Sequence, residues 1–88
     1  MSNTKKELRR KGSELGPTVH IGKAGVTEGT IEELGKQIRE RKLVKVKFLP
    51  SSDTPKEEMA KELAERSSST LVEIRGNTAL LCDKRIFG

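Results

Sequence analysis

The chain has 88 residues, 32% of them apolar and 35% charged, with a formal net charge of +5 and a pI near 9.6. That length suits a single domain, residues 1–88, with a thin core, and no apolar run approaches the roughly 20 residues that a membrane-spanning helix needs. The single Cys82 excludes an internal disulfide and cannot form a metal site alone; with a charged rather than apolar N-terminus, the expectation is a cytoplasmic protein without a signal peptide.

Residues 4–15 are predicted to form a first helix, with Leu8 and Leu15 seven apart on one stripe. Gly16-Pro17 is expected to end it, with glycine at the cap and proline just beyond. Thr18–Ile21 reads as a short strand. It runs into Gly22-Lys23-Ala24-Gly25, a loop of pattern G-x-x-G. Glycine lets such a loop bend and be approached closely, because it has no Cβ. Thr27 is the expected N-cap of a second helix running to about Arg41, with Ile31, Leu34 and Ile38 as its buried stripe.

From Lys42 to Leu49 the pattern alternates, with Val44, Val46 and Phe48 on one face and Lys45 and Lys47 on the other. That is a strand with one partly wet face. Pro50-Ser51-Ser52-Asp53 reads as a turn, and Thr54-Pro55-Lys56-Glu57 as a capping box with proline at the first helical position. Met59, Ala60, Leu63 and Ala64 give the third helix its apolar side, and Ser67-Ser68-Ser69 breaks it. Leu71–Arg75 and Thr78–Asp83 read as two strands joined by a two-residue hairpin at Gly76-Asn77. The order α-β-α-β-α-β-β predicts an α/β domain with a mixed four-stranded sheet, because strand–helix–strand units make parallel connections and a hairpin makes an antiparallel one.

Charge is unevenly distributed. Residues 1–16 carry net +3, residues 36–47 net +5, and residues 48–74 net −3. Such polarity orients a protein in the field of a polyanion. The candidate contacts are Lys5, Lys6, Arg9, Arg10 and Lys11 on the first helix, Lys45 and Lys47 on the second strand, Lys23 in the loop, and Lys84 and Arg85 after the last strand. Backbone N–H groups of the loop and of the helix start after it suit a phosphate. There is no Trp or Tyr and there are only two Phe, of which Phe48 is expected in the core. Stacking platforms for single strands use aromatic side chains, so the chain is expected to grip backbone and shape.

Material for catalysis is thin. His20 is the only histidine, and in Val-His-Ile it points away from its apolar neighbours. Cys82 sits in an apolar strand with nothing nearby to activate a thiolate. Glu57, Glu58, Glu62 and Glu65 read as a solvated helix face paired with Lys61 and Arg66. The loop has neither the length nor the Ser/Thr of a nucleotide-binding P-loop. No enzyme activity, cofactor or metal is expected.

Several segments together resemble the CRM-domain family, also called YhbY-like or the chloroplast RNA splicing and ribosome maturation domain. They are the basic helix Lys5–Lys11, Pro17, the stretch His20–Thr27 with the helix after it, Leu43–Lys47, and Ile74–Leu81. The resemblance implies a fold similar to the C-terminal domain of bacterial translation initiation factor three. It implies RNA binding through the loop residues Gly22, Lys23, Ala24 and Gly25 and the basic residues around them. Stand-alone bacterial members of the family associate with precursors of the large ribosomal subunit, so ribosomal RNA or a pre-ribosomal subunit is the implied partner, bound by a monomer. Family loops often carry a polar residue where this chain has Ala24, which leaves Lys23 as the loop's one charged side chain. Two other readings fit the composition: an Alba-like chromatin protein on duplex DNA, and a ribosome-associated domain that binds protein through its acidic third helix. A KH domain also has a G-x-x-G loop, but between two helices.

Overall fold

A computed structural model describes residues 4–49 and 54–87. It is an α/β fold of three α-helices and a mixed four-stranded sheet. The elements are α1 (Lys5–Ser13), β1 (Val19–Ile21), α2 (Glu28–Arg41), β2 (Leu43–Phe48), α3 (Lys56–Arg66), β3 (Ser69–Arg75), β4 (Thr78–Asp83) and a short 3-10 turn, η1 (Lys84–Ile86). The strand order is β1-β2-β4-β3. β1 runs parallel to β2, and β4 is antiparallel to both of its neighbours.

Helices cover the sheet on both faces. Leu34 and Ile38 of α2 and Met59, Ala60 and Leu63 of α3 pack on Val19, Ile21, Val44, Val46, Phe48, Ala79 and Leu81. On the opposite face Leu8 of α1 packs on Leu43, Val72, Leu80 and Cys82, with Ile86 at the margin. β4 lies between two strands and under helices on both sides, so Ala79 through Asp83 are all buried. Gly12 brings α1 close to the sheet, since a Cβ there would lie 2.5 Å from Leu80 Cδ2.

Helix starts and turns follow local chemistry. Thr4 and Glu7 form a reciprocal capping box at α1, and the Thr27 hydroxyl accepts from the Thr30 N–H at α2. α2 ends in left-handed backbone at Lys42, φ 70°. Gly76 takes φ 57° at the first hairpin position, as that turn requires.

Four expectations need correction. α1 ends at Ser13 with Glu14 as C-cap, so Leu15 lies beyond the helix, 39% exposed, and shares no buried stripe with Leu8. Gly16 is therefore not the cap. At α3 the N-cap is Pro55, which makes no side-chain cap bond, so the Thr54 box with proline inside the helix is not the arrangement adopted. Ser69 belongs to β3, which starts two residues earlier than the apolar pattern suggested. The turn expected at Pro50–Asp53 lies outside the described residues.

β3 holds an irregularity that no pattern announced. Leu71 pairs with Leu81, but Glu73, not Val72, pairs with Leu80. This bulge places one extra residue against β4. In an unbroken strand Leu71 and Ile74 would face opposite ways. With the bulge, both pack against the α2/α3 core, and Arg75 turns to the α1 face.

Candidate functional site

The loop Gly22–Gly25 joins the end of β1 to the start of α2. Its turn is closed by the Gly25 N–H donating to the Gly22 carbonyl at 3.0 Å. Gly25 has φ 75°, which disfavours any L side chain, and nothing lies within 4 Å of where its Cβ would be. Gly22 has ordinary backbone, and a Cβ there would make only van der Waals contact with Leu49, at 3.8 Å. The loop therefore needs its second glycine for conformation. Lys23 and Ala24 are exposed at its tip. The first turn of α2 carries Glu28, which favours the helix dipole but competes with an incoming anion.

The loop sits at one end of the sheet. There the Leu49 N–H donates to the Ile21 carbonyl at 3.0 Å, and the Phe48 N–H to the Asn77 carbonyl at 2.7 Å. The tail of β2, the β3–β4 hairpin and the loop thus share that end.

The predicted basic residues divide into three settings. Lys6, Arg9 and Arg10 lie on the side of α1 that faces β3 and line one groove with Ser13, Glu73 and Arg75. Lys5 and Lys11 are exposed outside that groove. A second depression under the C-terminal part of α1 is lined by Gly12, Lys45, Arg75 and Thr78. Lys45 is half-buried there, its Nζ donating to the Leu15 carbonyl at 3.3 Å, whereas Lys47 is exposed. The α1 helix, Lys45, Lys47 and Arg75 consequently share one face of the sheet. Arg75 escaped sequence reasoning, because plain alternation from Leu71 points it into the core. Only the bulge reverses it.

Lys84 and Arg85 stand at the other end of the sheet, where the Asp83 N–H bonds the Lys42 carbonyl at 2.8 Å. Arg85 is also engaged: its Nη2 lies 2.8 Å from Asp83 Oδ2 and its Nε 3.1 Å from Oδ1. Lys42 Nζ approaches the same carboxylate at 3.6 Å. The Arg85 hydrogen bonds hold the Asp83 carboxyl well below the usual carboxylate range, near 3.9. A depressed value means stability that is present above about pH 4 and lost as pH falls toward the folded-state value. The stability gap between the wild type and Asp83→Asn is therefore expected to narrow steadily below pH 4 in urea titrations. A gap unchanged from pH 7 to 2.5 would remove this carboxylate from the acid response.

Lys36 and Arg39 lie on the opposite layer, in a groove with Glu32 and Arg66. The basic run 36–47 is thus split between two faces. Cys82 is fully buried, and burial together with Asp83 pushes its thiol up to about 11. Among the described residues no group of three His, Cys, Asp or Glu side chains could hold a metal ion. No helix there is long and apolar enough to cross a membrane.

Comparison with known proteins returns one consistent picture. The sequence pattern of the CRS1 / YhbY (CRM) domain matches residues 1–82. The chain is 35% identical over 77 residues to the "Probable RNA-binding protein YqeI" of Bacillus subtilis, covering 88% of this chain and 80% of that protein. It is 31% identical over 80 residues to the "Probable RNA-binding protein PA4753" of Pseudomonas aeruginosa, covering 91% and 77%. The solution structure of the hypothetical protein SAV1595 from Staphylococcus aureus superposes with a TM-score of 0.80 at 29% identity, over 96% of this chain and 90% of that one.

Proposed function

The chain belongs to the CRS1 / YhbY (CRM) domain family, and on that premise we propose that it binds structured RNA without catalysing a reaction. The names of its relatives in Bacillus subtilis and Pseudomonas aeruginosa support RNA as the partner. The observation that carries the reading is geometric. Lys6, Arg9 and Arg10 of α1 share a groove with Arg75, on the sheet face that also presents Lys47.

In this reading an RNA backbone crosses α1 and the sheet toward the loop. The exposed Lys23 meets a phosphate there, and Gly25 leaves the approach open because no atom lies near its missing Cβ. Lys5 and Lys11 add field at the margin. Lys84 and Arg85, at the far end and with Arg85 tied to Asp83, contribute least. Ribosomal RNA in precursors of the large subunit, met by a monomer in the cytoplasm, is the proposed setting.

Titration of a labelled ribosomal RNA hairpin across a salt series is the test. Each phosphate contact should add about −0.7 to −0.9 to the slope of log K against log salt. Lys23→Ala is expected to weaken binding several-fold, equally for hairpins of different sequence, and to flatten the slope by about that increment. Affinity that ignores salt would overturn the proposal, and tighter binding to duplex DNA than to any RNA would favour the chromatin-protein alternative. In cell extracts, the tagged protein should co-sediment with large-subunit precursors rather than remain at the top of the gradient.

A further inference from the structure

α1 covers only part of its face of the sheet. Beside it a row of residues crosses all four strands, its Thr78 and Arg75 end bordering α1: His20 pairs with Lys47, Lys47 with Thr78, and Thr78 with Arg75. Cross-strand partners share a face, and sequence neighbours confirm the direction. Val19 and Ile21 flank His20, Val46 and Phe48 flank Lys47, Ala79 follows Thr78 and Ile74 precedes Arg75, and all of these pack into the α2/α3 core. The four row residues therefore point the other way. His20, Lys47 and Arg75 are exposed and Thr78 is half-buried. With strands about 4.8 Å apart, the row is about 14 Å wide.

The row shares Arg75 with the α1 groove but differs from it in chemistry. Planar π-surfaces stand at its two ends, the His20 imidazole and the Arg75 guanidinium, both of which can stack on an unpaired base. Lys47 supplies a point charge between them, and the Thr78 hydroxyl, which donates to the Arg75 carbonyl at 2.7 Å, can still accept from a ribose 2′-OH. Glu73, half-buried on the same face beside Arg75, disfavours a phosphate at that end but not a neutral base. The row opens at the end of the sheet where the loop and the hairpin meet.

Resting on the RNA-binding reading above, we propose that the row His20–Lys47–Thr78–Arg75 is a second RNA contact, which takes a short unpaired segment by stacking bases on His20 and Arg75 while Lys47 holds the phosphate between them. The domain then grips two kinds of RNA at once, paired backbone along α1 and unpaired bases on the open sheet. A chain without Trp or Tyr in its 88 residues still has a stacking platform, assembled from an imidazole and a guanidinium.

The test uses two RNAs of equal length, a fully paired duplex and a hairpin with an unpaired loop, against the full-length protein at fixed salt. His20→Ala is expected to weaken hairpin binding on the order of 10-fold and duplex binding less than about twofold, whereas Arg75→Ala, which also removes a charge from the α1 groove, should weaken both and the hairpin more. Arg75→Lys keeps the charge without the plane, so it should bind the duplex like the wild type but lose hairpin affinity, while His20→Phe should retain wild-type hairpin affinity. Equal losses on both RNAs from His20→Ala, or wild-type hairpin binding by Arg75→Lys, would reduce the row to ordinary charge and overturn the inference while leaving RNA binding intact. If the wild type binds neither RNA, the underlying reading fails as well.

Discussion

Truncation of Leu8 to alanine is expected to destabilise the protein by about 2–5 kcal/mol, the range for removing a fully buried leucine. Leu8 is 0% exposed and is the one large α1 side chain in the smaller core, against Leu43, Val72, Leu80 and Cys82. The other buried α1 residue, Gly12, contributes closeness but no side chain. α1 is also only 9 residues long, and helices shorter than about 12 residues are marginal in water without tertiary packing. Loss of Leu8 should therefore melt α1 before the sheet. Urea denaturation would give the stability, and amide exchange would show protection lost first over Lys5–Ser13. Full retention of α1 protection in a destabilised variant would contradict this account. The same variant should lose RNA affinity, since Lys6, Arg9 and Arg10 would no longer be held beside Arg75.

Replacement of Lys6, Arg9 and Arg10 together by alanine is expected to lower RNA affinity on the order of 10²-fold near 0.1 M salt. Three lost phosphate contacts, at about 0.7–0.9 each in the salt slope, amount to that order. All three residues are exposed, and exposed substitutions of this kind usually change stability little, so the loss should appear in binding and not in unfolding. Lys84→Ala, on the far end of the sheet, is the internal control and should stay within about twofold. Unchanged salt slope in the triple variant, or an equal loss in Lys84→Ala, would move the interface away from α1.

Much of the domain was legible because its determinants are local. Thr27 before an apolar period, Gly76 at the first position of a two-residue turn, and the alternation Val44, Val46, Phe48 against Lys45 and Lys47 each act within a few residues. They placed α2, the hairpin and β2, and with them the order of elements. Failures arose where a local signal met a competing one. Leu15 carried the right spacing for a buried stripe, but α1 stops at Ser13 and leaves it 39% exposed. Thr54 and Glu57 had capping-box spacing, but the chain enters α3 with Pro55 as the N-cap.

For the candidate site, residue types and charge runs named the basic helix, the loop and the β2 lysines from sequence alone, because charge and glycine are visible in a linear chain. The tertiary structure decided which of them share a surface. α1 packs on the face opposite α2 and α3, a choice made by Leu8 and Gly12 against Leu80, more than 60 residues away in sequence. The bulge between Leu71 and Glu73 then turns Arg75 from the core face to that same surface. Both decisions are non-local: side-chain alternation inverts with a single extra residue, and only the pairing partner across the sheet shows where that residue lies.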